Sequence, residues 1–477
     1  MASLAAFVAA AFCAGCSVPL GPGFLLNTRK TDVSSLPTQP AHIHVRVTDQ
    51  LQNIGDRSLP YVDVTFPESP TFAIEKLNIL VDGRPANVTS QADAPARLRF
   101  DPAWSPKQQR TVAFDYEYAP KAAAQGSAEG VGDAFYLVTG DAFPKWAAPV
   151  APLAKGLSPF RKEELDVTVP HGFSVLAAGL EERPRKREGA TIHRFRISPS
   201  ASRVFLIAGH YHEQLVHTQN GDVTFWTLSG LDMQAAQAAA ARLAATNAIF
   251  IQAFGPAAKN SRPLRIVEAP GALPPLEESD AGIAALSFPE GVLLDTRSFA
   301  QGIATEPVLT AAEYELAQTW FDWRTSPGPG AINQTARGPC LFATLVAAEA
   351  RGGEAVRRSQ IARFLSAYDQ AKAADGQATA PAAQAPSEDN KRSQRLAAAY
   401  KDALFWVALE DLAGKQNFES AVQHVIKARA GEDVLPEDLR SSLEAETGRN
   451  FAGIFRNWVS QRDLPRDFRA RYSQVSP

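Results

Sequence analysis

The sequence predicts a multidomain α+β protein: an antiparallel β domain followed by a mainly helical one. Three observations carry this. From residue 40 to about 230, apolar and polar residues alternate, the period of strands with one buried face. After Met233 the pattern changes to an unbroken Ala-rich run, which is helical. From residue 310 helical segments follow one another almost to the end, and strands first and helices later indicate separate layers or domains. The 477 residues leave room for about two to four domains at roughly 150 residues each.

Each element follows from local pattern. In "HIHVRVTD", Ile43, Val45 and Val47 share one face; in "TVAFDYEY", Val112, Phe114, Tyr116 and Tyr118 do. "AIEKLNILVDGRP" ends in Asp82-Gly83, a pair suited to a tight hairpin turn. "ELDVTVP", "IHRFRIS", "RVFLIAGHYHEQ" and "DVTFWTLSG" continue the strand pattern. "MQAAQAAAARLAATNAIFIQAFG" reads as a long helix closed by Gly255. "RPLRIVEAPG" and "GVLLDTRSF" are short strands. Helices are expected at 310–323, 339–351, 354–372, 394–413, 416–428, 435–446 and 450–460. Residues 373–394, rich in Ala, Pro and Gln, are expected as a low-complexity loop within the helical domain. The division is a leader at 1–16, a linker at 17–40, the β domain at 41–218 and the helical domain at 219–475.

Composition narrows the function classes. The net charge is -3, from 48 basic and 51 acidic residues, so nothing favours nucleic acid or an anionic membrane surface. Three cysteines, Cys13, Cys16 and Cys340, make no disulfide framework. The leader "MASLAAFVAAAFCAGCSVPLGPG" has an apolar run from Leu4 to Phe12, long enough for a signal sequence and too short to span a bilayer. "CAGC" resembles a bacterial lipobox with Cys16 as the lipidated residue. The expectation is an exported protein, periplasmic or anchored as a lipoprotein, which meets the membrane only through a lipid. A cleaved signal without lipid is the alternative.

The stretch "EYELAQTWFDWR", residues 313–324, has the frame of a zinc-protease helix. That helix reads HExxH: two His one turn apart grip the metal, and the Glu activates a water. Here Glu315 fills the Glu slot, while Tyr314 and Gln318 stand in the His slots.

The order of elements extends the likeness. A β domain, "RVFLIAGHY", a long helix ending in "FG", a short strand, "ALSFPEGVLLD" and then the HExxH-like helix resembles the membrane alanyl aminopeptidase family of zinc peptidases, the aminopeptidase N-like gluzincins. "KWAAPVAPL" and the tail from "YKDALFWVALEDLAG" to "FRNWVSQRDLP" fit the same order, and the match is collinear over nearly the whole chain. The resemblance implies a saddle-like β domain and a thermolysin-like catalytic domain. It also implies a zinc site, and each of its groups maps onto this chain. HExxHxW falls on Tyr314, Glu315, Gln318 and Trp320, and the third ligand, a Glu, falls on Arg337, followed by the expected Gly338. The Glu of the exopeptidase motif GxMEN, which grips the substrate's amine, falls on Ser287. The Tyr that stabilises the oxyanion falls on Tyr400. Glu315 and Tyr400 therefore remain as vestigial catalytic groups. The metal ligands are replaced by Tyr314, Gln318 and Arg337, and the amine anchor by Ser287.

Tyr and Gln are poor donors for Zn²⁺, and Arg adds a cation. Zinc is thus expected of the family and expected absent here, leaving no cofactor, with Arg337 replacing its charge beside Glu315. The expected function is a non-catalytic peptide- or protein-binding envelope protein that uses the interdomain cleft. The alternative is an active metallopeptidase with a non-standard metal site.

Other candidates read as structural. His42 with His44 and His210 with His212 form H-x-H pairs on strands, expected at edges or surfaces. There is no GxSxG, P-loop or GxGxxG. "SPGPGAINQ" is expected as a connection between helices. Cys340 is expected as a buried thiol, and Trp320, Phe321 and Trp323 as core aromatics.

Overall fold

The structure is a computed structural model. It describes the chain from Gly23 to Tyr472, apart from 37–38, 67–71, 90–95, 121–133, 139–142, 147–159, 198–204, 257–262, 277–282, 322–336, 378–387, 430–433 and a few shorter breaks. The leader with Cys13 and Cys16, Trp323 and the "SPGPGAINQ" stretch lie outside the described residues.

The β domain is built on a nine-stranded sheet. Its order runs from Leu180–Glu181 through Ala190–Ile197, Phe160–Pro170, Phe24–Leu36, Gln39–Asn53, Gln109–Pro120 and Phe72–Val81 to Arg84–Pro85, with Arg185–Arg187 also paired to Ala190–Ile197. Residues 24–36, expected as linker, thus form a strand in the middle of the sheet. The reason is chemical: its inward positions include Arg29, Thr31 and Ser35, which break the apolar alternation. It pairs antiparallel with Gln39–Asn53 but parallel with Phe160–Pro170, so the sheet departs from pure antiparallel order at that one pairing. Arg29 forks onto Asp49 (Nε to Oδ1 2.8 Å, Nη2 to Oδ2 2.7 Å), and Trp146 of "KWAAPVAPL" donates its indole N–H to Asp49 Oδ2 at 2.8 Å. The fork satisfies a charge pair that burial would otherwise disfavour. The Asp82-Gly83 turn has φ of 49° and 78°, the two positive values that a type I′ hairpin demands.

The second domain opens on a five-stranded sheet in the order His212–Thr218, Gly221–Thr227, Leu264–Glu268, Gly291–Leu294, Ala285–Phe288. The strand His212–Thr218 therefore belongs here, before the expected boundary at 218. The inner three strands are parallel and the outer two antiparallel. Period-2 geometry gives this sheet two buried faces. Phe225, Ile266, Val292 and Leu294 face the helices, while Trp226, Val267, Leu293 and Phe288 join the core of the β domain. The sheet is thus the layer that joins the two cores. At Gly291 an added Cβ would lie 1.9 Å from the carbonyl oxygen of Arg265, on the neighbouring backbone. Gly291→Ala should part these strands and cost about 3 kcal/mol in a denaturant melt; a melt unchanged within error would contradict this packing.

The helices are α1 (Met233–Phe254), α2 (Thr296–Gln301), α3 (Glu306–Phe321), α4 (Arg337–Gln377), α5 (Glu388–Ala413), α6 (Lys415–Ala428), α7 (Pro436–Thr447), α8 (Ala452–Ser460) and α9 (Arg466–Tyr472). Asp232 caps α1 by accepting from the amides of Gln234 and Ala235, and Gly255 ends it at φ 79°. The expected break near 352 is a bend within α4, where Gly353 has φ 73°. The expected loop at 373–394 is shorter than its composition indicates. Helix α4 runs to Gln377 and α5 starts at Glu388, because Ala, Gln, Lys and Glu are strong helix formers. Helix α3 is buried on every side, with Ala311 to Ala317 all inside, so it is the central helix of the domain. Cys340, Trp320 and Phe321 are core residues, as expected. Among the described residues no helix is long and apolar enough to cross a membrane.

Candidate functional site

Three of the expected site residues meet directly. Glu315 and Gln318 lie one turn apart on α3, a spacing that puts both on one face. That face meets the strand Ala285–Phe288 at the edge of the five-stranded sheet. The backbone N–H of Ser287 donates to Glu315 Oε2 at 2.6 Å, and the Ser287 hydroxyl donates to Gln318 Oε1 at 3.1 Å. Glu315 is 2% exposed. An edge strand normally presents bare amides to any strand that arrives. Here the carboxylate that a zincin aims at water accepts one of those amides.

The other mapped residues lie on α3, α4 and α5. Tyr314 is buried in the helical core beside Ala311 and Ala312. Arg337 is half-buried at the first residue of α4, and α3 packs against α4. Tyr400 sits half-buried on α5, its ring centroid 5.8 Å from that of Phe364 on α4. The donor set does not suit Zn²⁺: a buried phenol, an amide oxygen already accepting from Ser287, and a guanidinium. The H-x-H pairs sit apart from this contact. His44 hydrogen-bonds with Asp115 across 2.8 Å on the nine-stranded sheet, and His210 packs against Phe173 at 4.4 Å.

Next to Ser287 lies a small apolar cavity of about 10 Å³, roughly the space of one water molecule. Leu137, Phe205 and Ile207 of the β domain form one wall; Leu286, Phe288 and Leu293 form the other. The cavity therefore lies in the buried seam where the two domains pack together.

Two charged groups near the site were not singled out from the sequence. Glu313 is 1% exposed and accepts from Arg242 Nε (2.9 Å), Thr246 Oγ1 (2.8 Å) and Arg351 Nη1 (2.8 Å), which ties α3 to α1 and α4. Arg242 also bonds Glu306. These bonds to Glu306, followed by those to Glu313, hold the Arg242 guanidinium charged beyond its usual range, and Arg242 in turn lowers the Glu306 carboxyl. Asp402, on α5, is 4% exposed with no hydrogen-bond partner for either oxygen among the described residues. Burial alone pushes its carboxyl up to about 7. Helical spacing was the available signal: Asp402 falls in line with Phe405, Trp406 and Leu409, all buried.

No protein-family model matches the chain, and no curated protein matches it. Solved structures do. An M1 zinc metallopeptidase from Deinococcus radiodurans matches with a TM-score of 0.56 at 15% identity, over 93% of this chain and 95% of that one. A point mutant of it gives 0.57 at 15%, covering 93% and 96%. The mutant bound to a Tyr-Ser-Ala substrate gives 0.57 at 16%, covering 93% and 96%. With this extent of overlap at such low identity, the chain has the two-domain fold of the M1 zinc metallopeptidases, a β-sheet domain followed by a mainly helical one.

Proposed function

We propose that this protein is a non-catalytic member of that structural class, exported to the cell envelope, which binds a peptide or protein segment in the cleft between its domains. The observation that supports it best is the 2.6 Å bond from the Ser287 amide to Glu315. A carboxylate that accepts a hydrogen bond from the sheet edge is a weaker general base, because the bond favours its charged form. The replacement of metal donors at Tyr314, Gln318 and Arg337 supports the same reading. In this proposal Arg337 offsets the buried Glu315 charge that zinc would otherwise offset. Attachment through Cys16 belongs to the proposal.

Metal analysis and peptidase assays test it. Purified protein should carry no stoichiometric zinc and leave aminoacyl substrates uncleaved. Glu315→Gln should lower stability by about 1–3 kcal/mol through the weakened buried hydrogen bond and change no rate. Stoichiometric zinc, with cleavage that a chelator and Glu315→Gln both abolish, would replace this reading with that of an active metallopeptidase. The charge replacement has its own check. Arg337→Met, Glu315→Gln and the double variant should give a coupling energy of about 1 kcal/mol or more in a double-mutant cycle. A coupling near zero would remove Arg337 from the role.

A further inference from the structure

At the edge away from Ser287, the five-stranded sheet ends in the strand His212–Thr218. It pairs with Gly221–Thr227 and with no other strand among the described residues. An open edge is a template for pairing, and folded proteins blunt theirs with short strands, Pro, Lys, bulges or a covering group. Other edges of this chain carry such devices. One edge of the nine-stranded sheet consists of the short pieces Leu180–Glu181 and Arg185–Arg187, with Pro184 between them. At its other edge, Phe72–Val81 loses register between Glu75 and Asn78, around Lys76. At the far edge of the five-stranded sheet, Glu315 takes the Ser287 amide. His212–Thr218 has none of these devices: its seven residues keep unbroken register, hold no Pro or Lys, and bury only Val216.

The hairpin sets which groups of this strand face outward. Thr218 and Gly221 close a two-residue loop, and an antiparallel ladder alternates bonded with non-bonded pairs. Thr218, Val216, Gln214 and His212 therefore bond to the neighbouring strand. His217, Leu215 and Glu213 turn their amides and carbonyls outward. The Leu215 carbonyl is met by the side-chain amide of Gln214 at 3.2 Å. The side chains of the same three residues share the face opposite Val216. Leu215 is 44% exposed, and the exposed His217 bonds Asp222 through Nδ1 at 2.9 Å.

We propose that this edge pairs with the same edge of a second copy of the chain, antiparallel about a two-fold axis at Leu215. The strand is self-complementary in this register. Leu215 meets Leu215 of the second copy, and Glu213 meets His217 twice, once in each direction. All three are outward positions, so every matched pair can exchange main-chain hydrogen bonds. An axis at Gln214 or at Val216 would set Leu215 against Glu213 or His217 instead. Charge and apolar contact thus favour the second copy over a foreign strand. One strand a side makes a narrow interface, so the dimer is weak and forms with concentration.

Analytical ultracentrifugation of the full chain over a concentration series tests this. The mass should rise from one chain toward two and stop there, because a two-fold contact closes on itself. Leu215→Pro removes only an outward amide, which an edge strand tolerates. It should weaken association about tenfold or more, with an unchanged thermal midpoint. Should that variant not fold, the charge variants carry the test. Glu213→Lys and His217→Glu should each associate less than wild type. An equimolar mixture of the two should recover the dimer, because the substituted side chains then face each other with opposite charge and native Glu213 meets native His217. A chain that stays monomeric at every concentration, even one whose edge takes up an added extended peptide, would overturn the pairing. So would a dimer that Leu215→Pro leaves intact, or a mixture that associates no better than its components.

Discussion

Replacing Glu313 with alanine should lower the stability of the helical domain by about 3 kcal/mol. One carboxylate there accepts from Arg242, Thr246 and Arg351, and so holds α1, α3 and α4 in register. Removing it leaves two guanidinium groups side by side. These are 20% and 31% exposed, so water relieves part of the cost, and the figure sits at the low end for a broken buried pair. Glu313→Gln keeps an acceptor for Thr246 and should cost less. In a thermal melt the alanine variant should lose on the order of 8 °C, given roughly 2–4 °C per kcal/mol for a domain of this size. The effect should also shrink when Arg351 is first changed to Met, because the two groups share one network. A loss below about 1 kcal/mol would mean that these helices are held by apolar packing alone.

The second large effect is a dependence of stability on pH through Asp402. Its folded-state carboxyl titrates near 7, against 3.8 for the free group. Between those values the folded protein keeps a proton that the unfolded chain has lost. The stabilising contribution is thus complete below about pH 4, declines as pH rises, and is gone once pH passes 7. A shift of this size corresponds to about 4 kcal/mol across the window, at 1.36 kcal/mol per unit. Denaturant midpoints measured from pH 4.5 to 8 should show this fall beneath the contributions of other groups, and Asp402→Asn should remove it. At pH 8 that variant should be the more stable protein. If wild type and variant run parallel across the window, Asp402 finds donors that keep it ionised, and the expectation fails.

The sequence by itself determined the succession of β domain, Ala-rich helix and helical domain, because strand and helix periods are local and survive without tertiary context. It also determined the turn at Asp82-Gly83 and the end of α1 at Gly255, where backbone conformation selects the residue type. The position of Glu315 at the heart of α3 was legible from the motif frame and from the apolar residues around it. The strand Phe24–Leu36 was hidden, because its buried face carries Arg29 and its partner Asp49 lies 20 residues away. Asp402 was readable as an acid on an apolar helix face, but Gly338, which packs against it, comes from another helix. The same holds for Ser287 and Glu315. Strand order, the pairing of buried charges and the donor that reaches each carboxylate are contacts between distant segments. Only packing of the whole chain decides those contacts, since burial strengthens each interaction and makes each unpaired group costly.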